Sequence, residues 1–193
     1  MPMRARAPAG HNADVNDKLL VRMSKRMSLA LRHAPARFAL ELDPAGWVRV
    51  TDLLAALRIT RLELDTVVER DGKQRFALRR DPDGTEQIRA NQGHSVPIAL
   101  GLVALPPPER LYHGTSAAAL DSIRATGLHR ARRHHVHLSA DTDTARRVGA
   151  RRAGGVVILT VDAAAMARDG HLFYRSANGV WLTDAVPPRY LDV

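Results

Sequence analysis

Arg32 and His33 stand side by side, and Arg130, Arg132 and Arg133 crowd against His134, His135 and His137. These groups suit chemistry on anions. A guanidinium fork takes two oxygens of a phosphate at once, and an imidazolium can donate to a third. A histidine in the last turn of a helix keeps its proton more readily, because the helix dipole favours a cation there. The same position suits a basic residue that only caps loose carbonyls, and the dipeptide taken alone favours that plainer role. Arg75 follows Lys73 and Gln74 in a segment that alternates like a strand. There it could contact RNA phosphates, or simply share a solvated face with Lys73 and Arg79. His135 and His137 are two apart, so on a strand they share a side and could hold a metal. The cluster has no Asp, Glu or Cys of its own. An anion-binding strand edge is therefore the expectation, with no metal site. Tyr112-His113-Gly114-Thr115 reads as a strand turning through glycine into a helix, with Ser116 near the cap. Backbone amides at such a turn bind phosphate or carboxamide groups, since glycine permits close approach. The alternative is a plain strand–turn–helix with a core-facing histidine.

Other chemistries are excluded or disfavoured. The chain of 193 residues has no cysteine, so disulfides, thiolate metal sites and a cysteine nucleophile are out. No glycine-rich dinucleotide loop follows a strand, and no Walker loop, Gly-x-Ser-x-Gly elbow or His-Glu-x-x-His is present. Carboxylates are sparse near the candidate residues, which argues against paired-carboxylate hydrolysis. A formal charge of +9 favours polyanionic partners. The start lacks the apolar core of a signal peptide, and the apolar stretch Val96–Pro108 is short and broken by prolines. A soluble, cytoplasmic protein without membrane attachment is expected.

The elements that must position these residues can be read from periodicity. Residues 1–16 carry no pattern and are expected to form a disordered tail. From Asp17 to His33, Leu20, Met23, Met27, Ala30 and Leu31 make a helical seam that Pro35 ends. Trp47–Val50 suggests a short strand, and Thr51-Asp52 a cap for a helix through Leu57. Thr60 and Glu63 have the spacing of a capping box for a second helix from Arg61, with Leu64, Val67 and Val68 on one face. Lys73–Arg80 alternates, with Gln74, Phe76 and Leu78 facing one way and Arg75 the other. Asp81-Pro82-Asp83-Gly84 turns the chain and Glu86–Ala90 returns. Helices followed by a hairpin suggest a winged-helix-like unit. After Pro106-Pro107-Pro108 the expected strands are Leu111–His113, Val136–Ser139, Val156–Val161, Leu172–Tyr174, Val180–Thr183 and Tyr190–Val193. The expected helices there are Ala117–Thr126, Asp143–Arg151 and Ala163–Arg168. The fold class is α+β with two lobes, 17–105 and 106–193.

Eight strings occur in order along the chain: Leu29-Ala-Leu-Arg-His33, Gly46-Trp47, Lys73-Gln-Arg-Phe76, Ile88-Arg-Ala-Asn-Gln-Gly-His-Ser95, Leu111-Tyr-His-Gly-Thr115, Arg133-His-His-Val-His-Leu-Ser139, Arg147-Val-Gly149 and Asn178-Gly-Val-Trp-Leu-Thr183. Together they resemble the RNA (tRNA) 2′-phosphotransferase family over nearly the whole chain from Lys18. The resemblance implies a winged-helix-like RNA lobe, then an ADP-ribosyltransferase-like NAD lobe. It implies a catalytic set at Arg32, His33, Arg75 and Arg133, converging on one phosphoryl group. NAD⁺ contacts fall on His113, Gly114, Thr115, His137, Ser139, Arg152, Asn178 and Val180. Of these, His113, His137 and Val180 take the transferase triad positions, the third apolar rather than glutamate. RNA contacts fall on Lys73, Arg89, Gln92, His94 and Ser95. The implied substrate is RNA bearing an internal 2′-phosphate, tRNA-like, and NAD⁺ is a co-substrate with no metal. The protein is expected to act as a monomer.

The implied reaction has two steps. The RNA 2′-phosphate attacks the nicotinamide ribose, giving a 2′-phospho-ADP-ribosylated RNA. A ribose hydroxyl then attacks the phosphorus, releasing RNA and ADP-ribose 1″,2″-cyclic phosphate. The chain departs from the family after Gly149, where Ala-Arg-Arg-Ala-Gly-Gly stands in place of the usual Arg-His-Gly and Arg152 replaces that histidine. Two other readings remain: an ADP-ribosyltransferase that caps terminal phosphates of RNA or DNA, and a non-catalytic winged-helix protein that binds nucleic acid.

Overall fold

In the computed structural model, which describes residues 10–150 and 155–192, helix α1 (Gly10–Arg32) comes first. Met23, Met27, Ala30 and Leu31 are buried along it, so the seam legible in sequence is the face that meets the core. The helix begins upstream of Asp17, and residues 1–9 of the expected tail lie outside the described residues. Pro35, with no N–H to donate, opens a short 3-10 turn at Pro35–Phe38 instead of prolonging α1.

Strand β1 (Val48–Arg49) runs directly into α2 (Val50–Leu57). The expected Thr51-Asp52 cap is not there. Arg49 is the residue before the helix and no side chain caps it, while the Thr51 hydroxyl donates to Asp52 Oδ1 at 3.3 Å. Val50 is buried, and its burial starts the helix ahead of the polar pair. Helix α3 (Arg61–Glu69) has the full capping box: Glu63 N donates to Thr60 Oγ1 at 3.2 Å, and Thr60 N donates to Glu63 Oε2 at 2.8 Å. The Thr60 backbone N–H and hydroxyl hold the Glu63 carboxyl below its ordinary range. Strands β2 (Phe76–Arg80) and β3 (Glu86–Ala90) form the hairpin, and Gly84 takes the positive φ of 86° that its turn requires. The sheet order is β1-β3-β2, all antiparallel, with Ile88 opposite both Val48 and Leu78. Ile88, Val48, Phe76 and the buried faces of α1, α2 and α3 share one core.

The chain divides into two compact units after Ala90. The stretch that follows packs within the second unit: Leu105 N donates to Phe173 O at 2.8 Å, and Ala104 bridges Tyr174. Strand β4 (Arg110–Ser116) is followed by a 3-10 turn (Ala117–Ala119) and α4 (Leu120–Thr126). Next come β5 (Leu128–His129), β6 (Val136–Leu138), α5 (Thr142–Gly149), β7 (Val156–Asp162) and α6 (Ala163–Arg168). The unit ends with β8 (Tyr174–Arg175), β9 (Trp181–Thr183), β10 (Ala185–Val186), a 3-10 turn (Pro188–Tyr190) and β11 (Leu191–Asp192). The sheets have the orders β11-β7-β4, β6-β9-β8 and β10-β5. A bridge between Tyr112 and Ser139 joins β4 to β6. This unit has its own core, with Leu111, Leu159, Val161, Met166 and Phe173 at its centre. Mixed helices and small antiparallel sheets make the fold α+β. Among the described residues no helix is long and apolar enough to cross a membrane.

Candidate active site

In the first unit, the end of α1 meets the turn that precedes β2. Arg32 Nη2 donates to the Arg75 carbonyl at 3.2 Å. His33 and Arg75 both line a groove of 390 Å³, together with Ser24, Lys25, Ser28 and Arg70 and an apolar floor that includes Leu29 and Val67. Three of the candidate basic residues are thus brought together from positions 43 residues apart. The groove offers cations and hydroxyls to an anion. Asp71 is its one carboxylate and is already engaged.

Asp71 decides where Arg75 sits. Its side chain is only 3% exposed and takes an ion pair from the Arg75 guanidinium. It also accepts the backbone N–H of Arg75 at 2.6 Å and of Lys73 at 3.2 Å. Gln74 takes a positive φ of 43°, and its N–H reaches the Asp71 carbonyl at 2.7 Å. The expectation that Lys73–Arg75 belongs to an alternating strand is therefore corrected. The strand starts at Phe76, because the carboxylate winds the three preceding residues into a turn around itself. Leu78, expected on the apolar face with Phe76, is 39% exposed. Lys73 is exposed. Arg89 lies over the Trp47 ring at 4.6 Å, with Arg79 over the same ring at 4.3 Å, and donates to the Ala45 carbonyl at 3.2 Å. Burial, and then the neighbouring Arg79, make the Arg89 guanidinium a weaker base than usual.

In the second unit, β4 does not end at His113. It continues through Gly114 and Thr115 to Ser116, paired with β7 throughout, Gly114 opposite Ile158. Gly114 is thus a mid-strand residue and not a turn. A Cβ there would lie 1.8 Å from the Ala145 carbonyl oxygen, so the glycine exists to let α5 press onto the strand. His113 Nδ1 lies 3.0 Å from the His137 carbonyl oxygen, and the Tyr112–Ser139 bridge sets those two strands edge to edge. Leu138 pairs with Trp181 across β6 and β9, which puts Val180 just before the start of β9. Ser176 closes a turn there: its hydroxyl donates to Asn178 Oδ1 at 2.8 Å, and Val180 N donates to that hydroxyl at 3.1 Å. His113, Ser139, His137, Asn178 and Val180 therefore gather along three neighbouring strands. Thr115 and His94 are buried, and Ser95 is exposed. Arg152 lies outside the described residues.

The two histidines two apart have separate partners. His135 packs against Tyr174 with ring centres 5.5 Å apart and the planes tilted by 58°, and burial lowers its affinity for a proton, with nearby Asp184 opposing. His137 instead meets Arg133 and Gln92. Among the described residues no group of three or more His, Cys, Asp or Glu could hold a metal ion.

The family model for RNA 2′-phosphotransferase, Tpt1/KptA family, matches residues 18–185. The chain belongs to this family. It is 51% identical to a protein of Streptomyces griseus over 92% of this chain and 98% of that one. It is 50% identical to a protein of Nostoc punctiforme over 92% and 99% of the two chains. A Streptomyces coelicolor protein is 53% identical over 89% and 93%. All three carry the name "Probable RNA 2′-phosphotransferase". The 2′-phosphotransferase match takes in both units, the end of α1 and the strands around His113 alike. Asp71 is the residue of this candidate site that sequence reasoning missed. The only available signal was an Asp-Gly pair ahead of a basic run, which reads equally well as an ordinary loop.

Proposed function

We propose that this transferase is an NAD⁺-dependent RNA 2′-phosphotransferase that removes an internal 2′-phosphate from RNA. The observation that carries the reading is the meeting of His33 and Arg75 in one groove, with Arg32 bonded to the Arg75 carbonyl beside it. The order helix, strand, two helices, hairpin supports a winged-helix-like RNA-binding role for the first unit. The edge-to-edge strands bearing His113, His137 and Val180 support an ADP-ribosyltransferase-like role for the second. The residues present there fit a dinucleotide: imidazoles, hydroxyls and an amide can hydrogen-bond to ribose, diphosphate and carboxamide, and none of the three triad positions is a carboxylate. NAD⁺ would supply an electrophilic anomeric carbon whose leaving group, a cationic pyridinium, departs as neutral nicotinamide.

The RNA phosphate is assigned the catalytic set that the resemblance implies, Arg32, His33, Arg75 and Arg133. A 2′-phosphate is already anionic near neutral pH, so the first step needs no general base. The arginines hold its oxygens in line for attack. In the second step a ribose hydroxyl attacks the phosphorus, and negative charge accumulates on the phosphoryl oxygens. The guanidinium groups neutralise that charge, and His33 donates a hydrogen bond or proton to it.

The test is direct. Protein, NAD⁺ and an RNA with one internal 2′-phosphate should yield nicotinamide, RNA with a free 2′-hydroxyl and ADP-ribose cyclic phosphate. A stable NAD-derived cap on a terminal phosphate, with no cyclic phosphate from the internal one, would point to the capping reading. RNA binding that is indifferent to NAD⁺, with no product, would point to a non-catalytic protein.

Asp71→Ala should lower the transfer rate by roughly 10- to 100-fold, since it leaves the Arg75 guanidinium without its buried partner. Asp71→Glu should recover part of that loss. The check is a single-turnover assay alongside a melting curve, and an unchanged rate in folded Asp71→Ala would show that Arg75 needs no such anchor.

A further inference from the structure

His137 is held at both ring nitrogens. Arg133 Nη1 lies 3.3 Å from His137 Nδ1, and His137 Nε2 meets Gln92 Oε1. A guanidinium has donors only and no acceptor. His137 Nδ1 must therefore present a lone pair to receive it and can carry no proton while the contact lasts. A neutral imidazole with a bare Nδ1 has its proton on Nε2, and here that proton points at an amide oxygen. The orientation of the Gln92 amide matches this demand. Were its NH₂ turned toward the ring, Nε2 would have to be the acceptor, Nδ1 would carry the proton, and two donors would face each other at Arg133.

The fold explains why the contact matters. His137 is fixed by β6, opposite Leu182 of β9. Arg133 sits outside any strand, in the turn before β6, where its N–H reaches the Arg130 carbonyl at 3.0 Å and Ala131 takes a positive φ of 51°. A long side chain on such a turn has many rotamers, and a bond to a strand-held ring removes most of them.

We infer that Gln92 is a positioning residue: it holds His137 as the neutral Nε2–H tautomer, and the exposed Nδ1 lone pair aims the Arg133 guanidinium. This moves Gln92 from direct RNA contact to action through His137. The consequence for catalysis rests on the phosphate role proposed for Arg133, whereas the tautomer does not. Among the described residues, Arg133 from the preceding turn reaches the His137 ring, His113 from β4 reaches the His137 carbonyl, and β9 opposes it with Leu182.

The experiment has a spectroscopic arm and a kinetic arm. In ¹⁵N-labelled protein near neutral pH, His137, assigned by comparison with His137→Asn, should show a protonated Nε2 and a bare Nδ1. A protonated Nδ1 in the wild-type protein overturns the inference whatever the enzyme does. Gln92→Glu keeps an acceptor at Nε2, but its carboxylate favours the doubly protonated ring, which expels Arg133. Its transfer rate should fall roughly tenfold at neutral pH and recover as the pH is raised. A Gln92→Glu rate equal to wild type at every pH contradicts the inference. His137→Asn, whose Oδ1 replaces the Nδ1 acceptor, should keep several-fold more activity than His137→Gln; the reverse order counts against it. If the wild-type protein turns over no 2′-phosphorylated RNA, the functional reading fails, and the ring spectra still decide the tautomer.

Discussion

Arg133→Ala is expected to slow the second chemical step by about 10²- to 10³-fold while sparing the first, so that 2′-phospho-ADP-ribosylated RNA accumulates. His33→Ala should act in the same direction. The asymmetry follows from where charge develops. In the proposed first step an existing phosphate anion attacks and the cationic pyridinium departs as neutral nicotinamide, so charge is consumed. In the second, an oxygen nucleophile enters a phosphorus already crowded with anionic oxygens, and cations there gain most of their strength in the transition state. Single-turnover assays with labelled RNA, resolving substrate, intermediate and product, measure both steps at once. Equal loss in the two steps would assign these residues to substrate binding instead.

Gly114→Ala should have the largest effect on stability. Its Cβ would lie 1.8 Å from the Ala145 carbonyl oxygen and 2.7 Å from the carbonyl carbon. These are backbone atoms of α5, so no rotamer change relieves the clash and the helix must leave β4. Gly149 on the same helix is confined less severely, with a Val156 methyl 2.8 Å and the Gly114 carbonyl carbon 3.0 Å from where its Cβ would be. Overpacking of this kind costs about 3 kcal/mol or more, and a chain of this size should melt roughly 10 °C lower, or fail to accumulate folded. Gly155→Ala is the matched control, because no described residue lies within 4 Å of its Cβ position and its φ is not positive. A Gly114→Ala protein that melts with wild type would show that α5 does not pack as described.

The Gly114 result also shows where local reading stops. A glycine after Tyr112-His113 has one obvious local use, a turn, and the sequence offers no hint that a helix 31 residues later needs its missing side chain. Arg75 failed in the same manner: its neighbours alternate, but a buried carboxylate upstream overrides the alternation. Thr51-Asp52 has cap chemistry, yet the burial of Val50 begins α2 earlier. Strands β5 and β10 are two residues each, too short to show any period.

Where a feature depends only on residues close together along the chain, the sequence sufficed. The α1 seam, the Thr60–Glu63 capping box, the Asp81–Gly84 turn and the bounds of α6 all depend on residues within a few positions of one another. The order of the eight strings pointed to the family in the same one-dimensional way. Which side chains meet was decided by tertiary structure alone. Arg32 on the Arg75 carbonyl, His113 on the His137 carbonyl, and Gln92 on the His137 imidazole each join elements whose separation along the chain says nothing of their distance in space. Hydrogen bonds read direction and fractions of an ångström, and only packed strands and helices supply that.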